Sequence, residues 1–215
     1  MANISNWLNE VSVKVPGAIK DDIDFATRSI VREFCARTML YIRQLTPFDM
    51  VISQATYTLI PPSAEESIVG VEKCEINGVP VSYVSEDFLN RTSEAWTNLE
   101  AESPMNIMVD VEKTLKLKET PTVTVLDGIV VWVSLKPAPT SNIVPDFIYE
   151  DWFDCILYGV LARLFKTPSK TYTNVNLGMF YEREYKGELT RAKGKKTTGL
   201  AKMSLRVQSA PFSVV

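Results

Sequence analysis

Enzyme chemistry needs nucleophiles, bases or metal ligands, and this chain is short of them. None of its 215 residues is histidine, which removes the commonest general base, the Ser-His and Cys-His pairs and most zinc chemistry. Catalysis by carboxylates or lysine alone is left as a minority reading. Acidic residues cluster twice, at Asp21, Asp22 and Asp24 and at Glu65 and Glu66. Neither cluster has the spacing of a calcium loop with its turn glycine, so helix capping suits the first and loop solvation the second. No P-loop, dinucleotide fingerprint or nucleophile elbow is present, and Gly187, Gly194 and Gly199 are too scattered to cradle a phosphate. Cys35, Cys74 and Cys155 are widely spaced, odd in number and set in apolar runs. They read as small buried hydrophobes of a protein made in a reducing compartment, not as a disulfide or zinc framework. The expectation is a non-enzyme with no catalytic residue, no metal ligand and no cofactor.

Two stretches instead have the composition of an interaction site. From Arg183 to Arg206 eight lysines and arginines face two glutamates, a local net of +6 in a chain whose net charge is −3. Such asymmetry serves phosphate contacts or an acidic protein surface, and equally describes the solvated basic end of a helix. The aromatic residues stop at Tyr185, before the basic cluster, so stacking on single-stranded nucleic acid is poorly supported. Beyond Gly194 the chain becomes flexible and basic and then strand-like. Leu205, Val207 and Ser209 alternate with Arg206 and Gln208, and Leu200, Met203, Phe212, Val214 and Val215 are too apolar for a purely solvating tail. A strand without a local partner adds to a sheet or groove elsewhere. The residues assigned to a protein interface are therefore Lys195, Lys196, Lys202, Leu205, Arg206, Val207 and Phe212.

The elements that position them begin with 145–196. PDFIYEDWFDCILYGVLARLFKTP predicts a central helix with Asp146 as N-cap, Arg163 and Lys166 in the last turn and Pro168 as its stop. Glu150, Asp151, Asp154 and Arg163 interrupt the apolar run, so no transmembrane span is expected. Ile148, Trp152, Cys155, Gly159 and Ala162 make one apolar stripe; Phe153, Ile156, Val160 and Leu164 make another. A helix apolar on two faces needs two covers, and residues 18–44 and 174–193 supply two helices with apolar faces, the second capped by Asn174. Trp152, Phe153, Tyr158, Phe165, Phe180, Tyr181 and Tyr185 then belong to packing between helices and not to a ligand cage. Residues 1–17 read as an irregular lead-in without a signal-peptide pattern.

From Asp49 to Pro137 valine, isoleucine, threonine and tyrosine dominate and turn residues recur. Asn77-Gly78 and Asp127-Gly128 each signal a tight hairpin, because both central residues of a type I′ turn need positive φ. Residues 87–101 form a short helix or a long loop around Trp96. The expected fold class is α+β: a bundle of about three helices drawn from both chain ends (1–46 and 140–196), an inserted, mainly antiparallel β domain (47–139), and an extended C-terminal docking tail (197–215).

Three segments carry a resemblance that spans nearly the whole chain in order. VPGAIKDDIDFATRSIVREFCART resembles the opening helix of the head-to-tail adaptor proteins of tailed phages, with Phe34-Cys35 and Arg37 near its end. ATYTLIPPSAEESIVGVEKCEINGVPV resembles their early strands, and PDFIYEDWFDCILYGVLARLFKTPSKTYTNVNLGMFYEREYKGELTRAK is similar to their paired helices, with a Gly-x-Leu-Ala-Arg-Leu run at 159–164. The resemblance is to the tail tubular protein A type of short-tailed phages. It implies a structural virion protein, made in the host cytoplasm, that forms a dodecameric ring beneath the portal protein and carries a tail or nozzle protein. Genomic DNA would pass through the ring without sequence-specific binding, and no membrane is involved. The alternative is a DNA-binding protein that uses Lys193, Lys195, Lys196, Lys202 and Arg206.

Overall fold

The computed structural model describes residues 1–92 and 96–198. In chain order the elements are β1 (Ala2–Asn3), α1 (Leu8–Lys14), α2 (Lys20–Thr38), β2 (Ile42–Gln44), β3 (Phe48–Met50), β4 (Thr56–Thr58), β5 (Glu66–Ile76), β6 (Val79–Pro80), β7 (Ser82–Tyr83) and α3 (Glu86–Thr92). There follow β8 (Glu100–Ala101), β9 (Asn106–Val109), β10 (Thr114–Leu117), β11 (Thr120–Pro121), β12 (Val125–Pro137), β13 (Ile143–Val144), α4 (Asp146–Asp151), α5 (Phe153–Phe165) and α6 (Val175–Thr198).

This corrects the expected fold class. The architecture is mixed, about 41% helix and 28% strand, with six helices, several sheets and a curled antiparallel half-barrel in place of a helical bundle carrying one inserted domain. The half-barrel runs β2-β12-β5-β6, with β3 also on β12, and β4-β10-β9-β7 forms a second sheet. Helices and strands share one apolar core. Ile23, Phe34, Val131, Val133, Leu135, Ile156 and Val160 all belong to it. The reason lies in α2, which turns Ile23, Ala26, Ile30, Val31, Phe34 and Cys35 inward and packs on β12 as well as on α5 and α6. A wide apolar helix face is satisfied as well by a sheet as by another helix, and periodicity does not distinguish them. Ile129, Val131, Val133 and Leu135 alternate inward along β12 and are fully buried.

The curl has a local cause in β5. Val71 pairs with Val133 and Lys73 with Trp132, leaving Glu72 without a counterpart; Gly70 pairs with Ser134 and Ile68 with Leu135, leaving Val69 without one. Each extra residue is a bulge that bends the strand and increases its twist. Together the two bulges shift the register by two residues, and Ile68, Val71 and Cys74 lie opposite the buried Leu135, Val133 and Val131.

Of the two expected hairpins one forms. Asn77 (φ 52°) and Gly78 (φ 76°) make the two-residue turn between β5 and β6. Asp127 has positive φ, 51°, but β12 runs straight through it. Residues 126–128 are an irregularity opposite Asp49, whose carboxylate accepts the Asp127 N–H at 2.8 Å. The helix expected over 18–44 stops at Thr38, where Met39 takes the left-handed conformation (φ 51°), and Ile42–Gln44 joins β12 as a strand. The central helix is two helices broken at Trp152 (φ −128°), and Asp146 is the first helical residue and not the cap. Asn174 does cap α6, accepting the Leu177 N–H at 3.1 Å.

The lead-in over 1–17 is ordered. Ile4, Trp7, Val11 and Val15 are buried, and β1 pairs with β13. Trp7 stacks on Phe153 with ring centres 5.5 Å apart and donates its indole N–H to the Phe153 carbonyl.

Candidate functional site

The described interface residues sit at the end of α6, and they are already engaged. Lys195 reaches the Asp151 carboxylate at 3.3 Å and lies 5.4 Å above the Trp152 ring, an ion pair and a cation–π contact with one ammonium. Lys196 lies 2.8 Å from both carboxylate oxygens of Glu72, the bulged residue of β5. These contacts fasten the end of α6 to the α4–α5 junction and to the rim of the half-barrel. Lys202, Leu205, Arg206, Val207 and Phe212 lie outside the described residues.

Other charges of the basic stretch are matched locally. Lys186 pairs with Glu182 at 3.0 Å, Arg191 with Glu188 at 2.8 Å, and Lys166 also pairs with Glu182. The two lysines hold the Glu182 carboxyl below its ordinary range. A helix whose cations face its own carboxylates presents a weaker field to a polyanion than its lysine count suggests.

Beside Glu72 lies a groove of about 440 Å³ between β5 and the β9–β10 turn. Ile68, Val69, Gly70 and Val71 form one wall, and Leu59, Val109 and Val111 stand across from them. Val111 is 99% exposed. Among the described residues β5 is paired along its length by β12 on one side, while on the other β6 covers only Glu75 and Ile76.

A second cluster was missed in the sequence. Glu65 and Glu66 read there as a solvated pair, and Glu65 is exposed, but Glu66 opens β5 and is buried. Its carboxylate accepts the Tyr41 hydroxyl and the Arg43 guanidinium, the latter at 3.1 and 3.3 Å. Burial, with Glu66 alongside, pushes the Tyr41 phenol up to about 12. Its parity with Ile68 was the available signal. The arrangement is a fully engaged structural knot: it ties β2 to β5 across the cavity of about 110 Å³ that these residues line with Ser141 and Pro145.

Asp21, Asp22 and Asp24 all lie at the start of α2. Asp22 alone bridges to the α5–α6 loop, accepting from Lys170 and from the Tyr172 hydroxyl at 2.9 Å each. Those two hydrogen bonds hold its carboxyl below the usual range. Asp21 is in the first turn of α2. Among the described residues no group of three or more His, Cys, Asp or Glu side chains is placed to hold a metal ion.

The helical layer leaves apolar side chains in solvent. Phe25 on α2 and Val175, Met179 and Phe180 on α6 are each more than half exposed, and Val175 and Met179 share a face at i and i+4. Of the aromatic set, Trp152, Phe165 and Tyr185 are buried, and Tyr181 stacks on both Tyr158 and Phe165 at about 6 Å. These pack between helices as expected, whereas Phe180, more than half exposed, does not.

Among the described residues no helix is long and apolar enough to cross a membrane. No protein-family model and no curated protein sequence matches the chain.

Proposed function

We propose that this chain is a structural, non-enzymatic virion subunit: a head-to-tail adaptor that assembles as a ring beneath the portal of a short-tailed phage, around the DNA channel, and carries the next tail component. The ordered resemblance of the three segments supports this reading. The observation that carries it is the exposed apolar surface of the helical layer, Phe25 on α2 and Val175, Met179 and Phe180 on α6. Large apolar side chains left in solvent on packed helices suit an association surface. A head-to-tail ring needs two complementary faces on every subunit, and an obligate contact of this kind buries above ~2,000 Å². The helical layer provides one face, and the segment beyond α6, with Lys202, Leu205, Arg206, Val207 and Phe212, provides a docking arm for the portal or the adjacent subunit.

The pairing of Lys195 and Lys196 with carboxylates tells against the DNA-binding alternative, which needs both cations for phosphates. Native mass spectrometry and electron microscopy of the purified chain, alone and with a portal, test the proposal. The expected result is recruitment into a closed, twelve-fold ring on the portal. Absence of any portal complex at micromolar concentrations, or salt-sensitive DNA binding in its place, overturns it.

A further inference from the structure

We propose that copies of this chain meet through the two flanks of α6: the basic cleft between α2 and α6 on one copy receives the acidic α4–α5 flank of the next. The contact deepens the ring assembly proposed for the chain and rests on it.

The cleft, of about 190 Å³, lies where α2, α5 and α6 converge. Arg37, Arg163, Lys166 and Lys186 line it against two carboxylates, Glu33 and Glu182. Arg37 pairs with Glu33 at 3.1 Å, while Lys166 and Lys186 share Glu182. Arg163 meets no carboxylate among the described residues. It donates to the Ser29 hydroxyl and lies 5.3 Å from the centre of the Phe25 ring. Two positive charges are therefore left over in a chain whose net charge is −3.

The other flank has the reverse balance. A hollow of about 210 Å³ at the α4–α5 junction is lined by Glu150, Asp151, Asp154 and Glu188, with Arg191 beside them. Arg191 pairs with Glu188, and Lys195 with Asp151. Glu150 and Asp154 remain, both exposed and neither paired with a cation among the described residues. The two flanks belong to one helix. At 3.6 residues per turn, Glu182 and Lys186 fall on one side of the buried Tyr185, Leu189 and Ala192, and Glu188, Arg191 and Lys195 on the other.

Equal and opposite surpluses on two sides of one element suit a head-to-tail contact, in which every copy offers different faces to its two neighbours. A single copy cannot join them, because α6 stands between. A second copy fits the cleft better than nucleic acid does. Glu33 and Glu182 repel phosphates, and Phe25, 61% exposed beneath Arg163, offers apolar surface that a protein partner covers. Glu150 and Asp154 of one copy then face Arg163, Lys166 and Lys186 of the next. Charge complementarity of this kind fixes the register of a contact and rejects wrong pairings.

Charge reversal in the full-length chain tests this, read by sedimentation velocity and native mass spectrometry, alone and with the portal. Glu150→Lys with Asp154→Lys sets cation against cation, and Arg163→Glu with Lys186→Glu sets carboxylate against carboxylate. Each variant should self-associate at least about tenfold more weakly than the natural chain, and a mixture of the two should recover association as alternating copies. Unaltered association in both variants overturns the inference and leaves the ring standing, as does a mixture of folded variants that recovers nothing. No self-association of the natural chain under any of these conditions overturns ring and inference together. Duplex DNA held by the natural chain and released by Arg163→Glu with Lys186→Glu places a phosphate in the cleft and overturns the inference. Should a reversal disturb the fold, Glu150→Gln with Asp154→Asn changes only two exposed side chains. Its association should weaken less with added salt than that of the natural chain, and an unchanged salt dependence overturns the inference.

Discussion

Lys196 and Glu72, 124 positions apart in sequence, form an ion pair in which one ammonium meets both oxygens of one carboxylate at 2.8 Å. Glu72 is free to do so because it is the extra residue of a bulge, opposite no partner on β12. Their side chains keep 29% and 21% of their exposure, placing the pair between a screened surface contact and a buried one. A double-mutant cycle of Lys196→Met and Glu72→Gln should give a coupling of about 1 kcal/mol by urea denaturation, falling as salt is raised. Zero coupling at low salt would detach α6 from the half-barrel energetically.

Arg43→Met should cost about 1–3 kcal/mol, because it removes the cation facing a buried carboxylate, and Tyr41→Phe should cost about 1–2 kcal/mol for the lost charged hydrogen bond. The same knot sets an alkaline limit. Tyr41 stays protonated in the fold up to about 12, whereas an unfolded phenol loses its proton near ~10. Its contribution is therefore complete below the unfolded value and disappears as pH rises through that window. Denaturation midpoints measured across it should fall for the natural chain and fall less for Tyr41→Phe.

All three thiols are buried, and that burial pushes each up to about 12. A thiolate-selective reagent at neutral pH should therefore modify none of them in the native protein and all three in denaturant. Rapid reaction of Cys35, Cys74 or Cys155 in the native state would contradict the packing of its element.

Gly159 is where α2 and α6 close on α5. A Cβ there would stand 2.6 Å from Ile30 Cγ2 and 3.1 Å from Tyr185 Cδ2. Gly159→Ala gains helix propensity of up to ~1 kcal/mol but overpacks a three-helix junction, which costs about 1–3 kcal/mol. Net destabilisation of about 1 kcal/mol is expected in thermal or urea melts. A stabilised variant would show that the junction has room. Tyr185 adds to the constraint, since its hydroxyl is buried with no hydrogen-bond partner among the described residues and burial raises its phenol.

Much of the local structure was legible because it is written in neighbouring residues. Asn77-Gly78 determined its own turn, Asn174 its cap, and the two apolar stripes of 147–165 announced a helix region covered on two sides. Asp127-Gly128 shows where that reasoning stops. The dipeptide has the hairpin chemistry, but a Cβ at Gly128 would stand about 3.0–3.1 Å from the Val125 carbonyl, the Asn77 side chain and Met50, and the pairing of β12 with β3 and β5 carries the strand through. Tertiary pairing outweighed a local turn preference.

Glu66 and Trp7 were illegible for a related reason. A glutamate after another glutamate, and a tryptophan in a polar lead-in, look solvent-facing until distant partners arrive. Tyr41 and Arg43 come from β2 and the residue before it, and Phe153 from a helix almost 150 positions away.

The sequence by itself determined the helix faces, the strand-rich middle, the absence of histidine chemistry and the basic composition of the C-terminal stretch, all properties of residues within a few positions of one another. Tertiary structure decided that α2 covers a sheet as well as a helix, that two bulges curl β5 and free Glu72, and that Lys195 and Lys196 are spent on intramolecular pairs. Those outcomes depend on which surfaces meet, and a period of 3.6 or 2 reports that a face is apolar without reporting what lies against it.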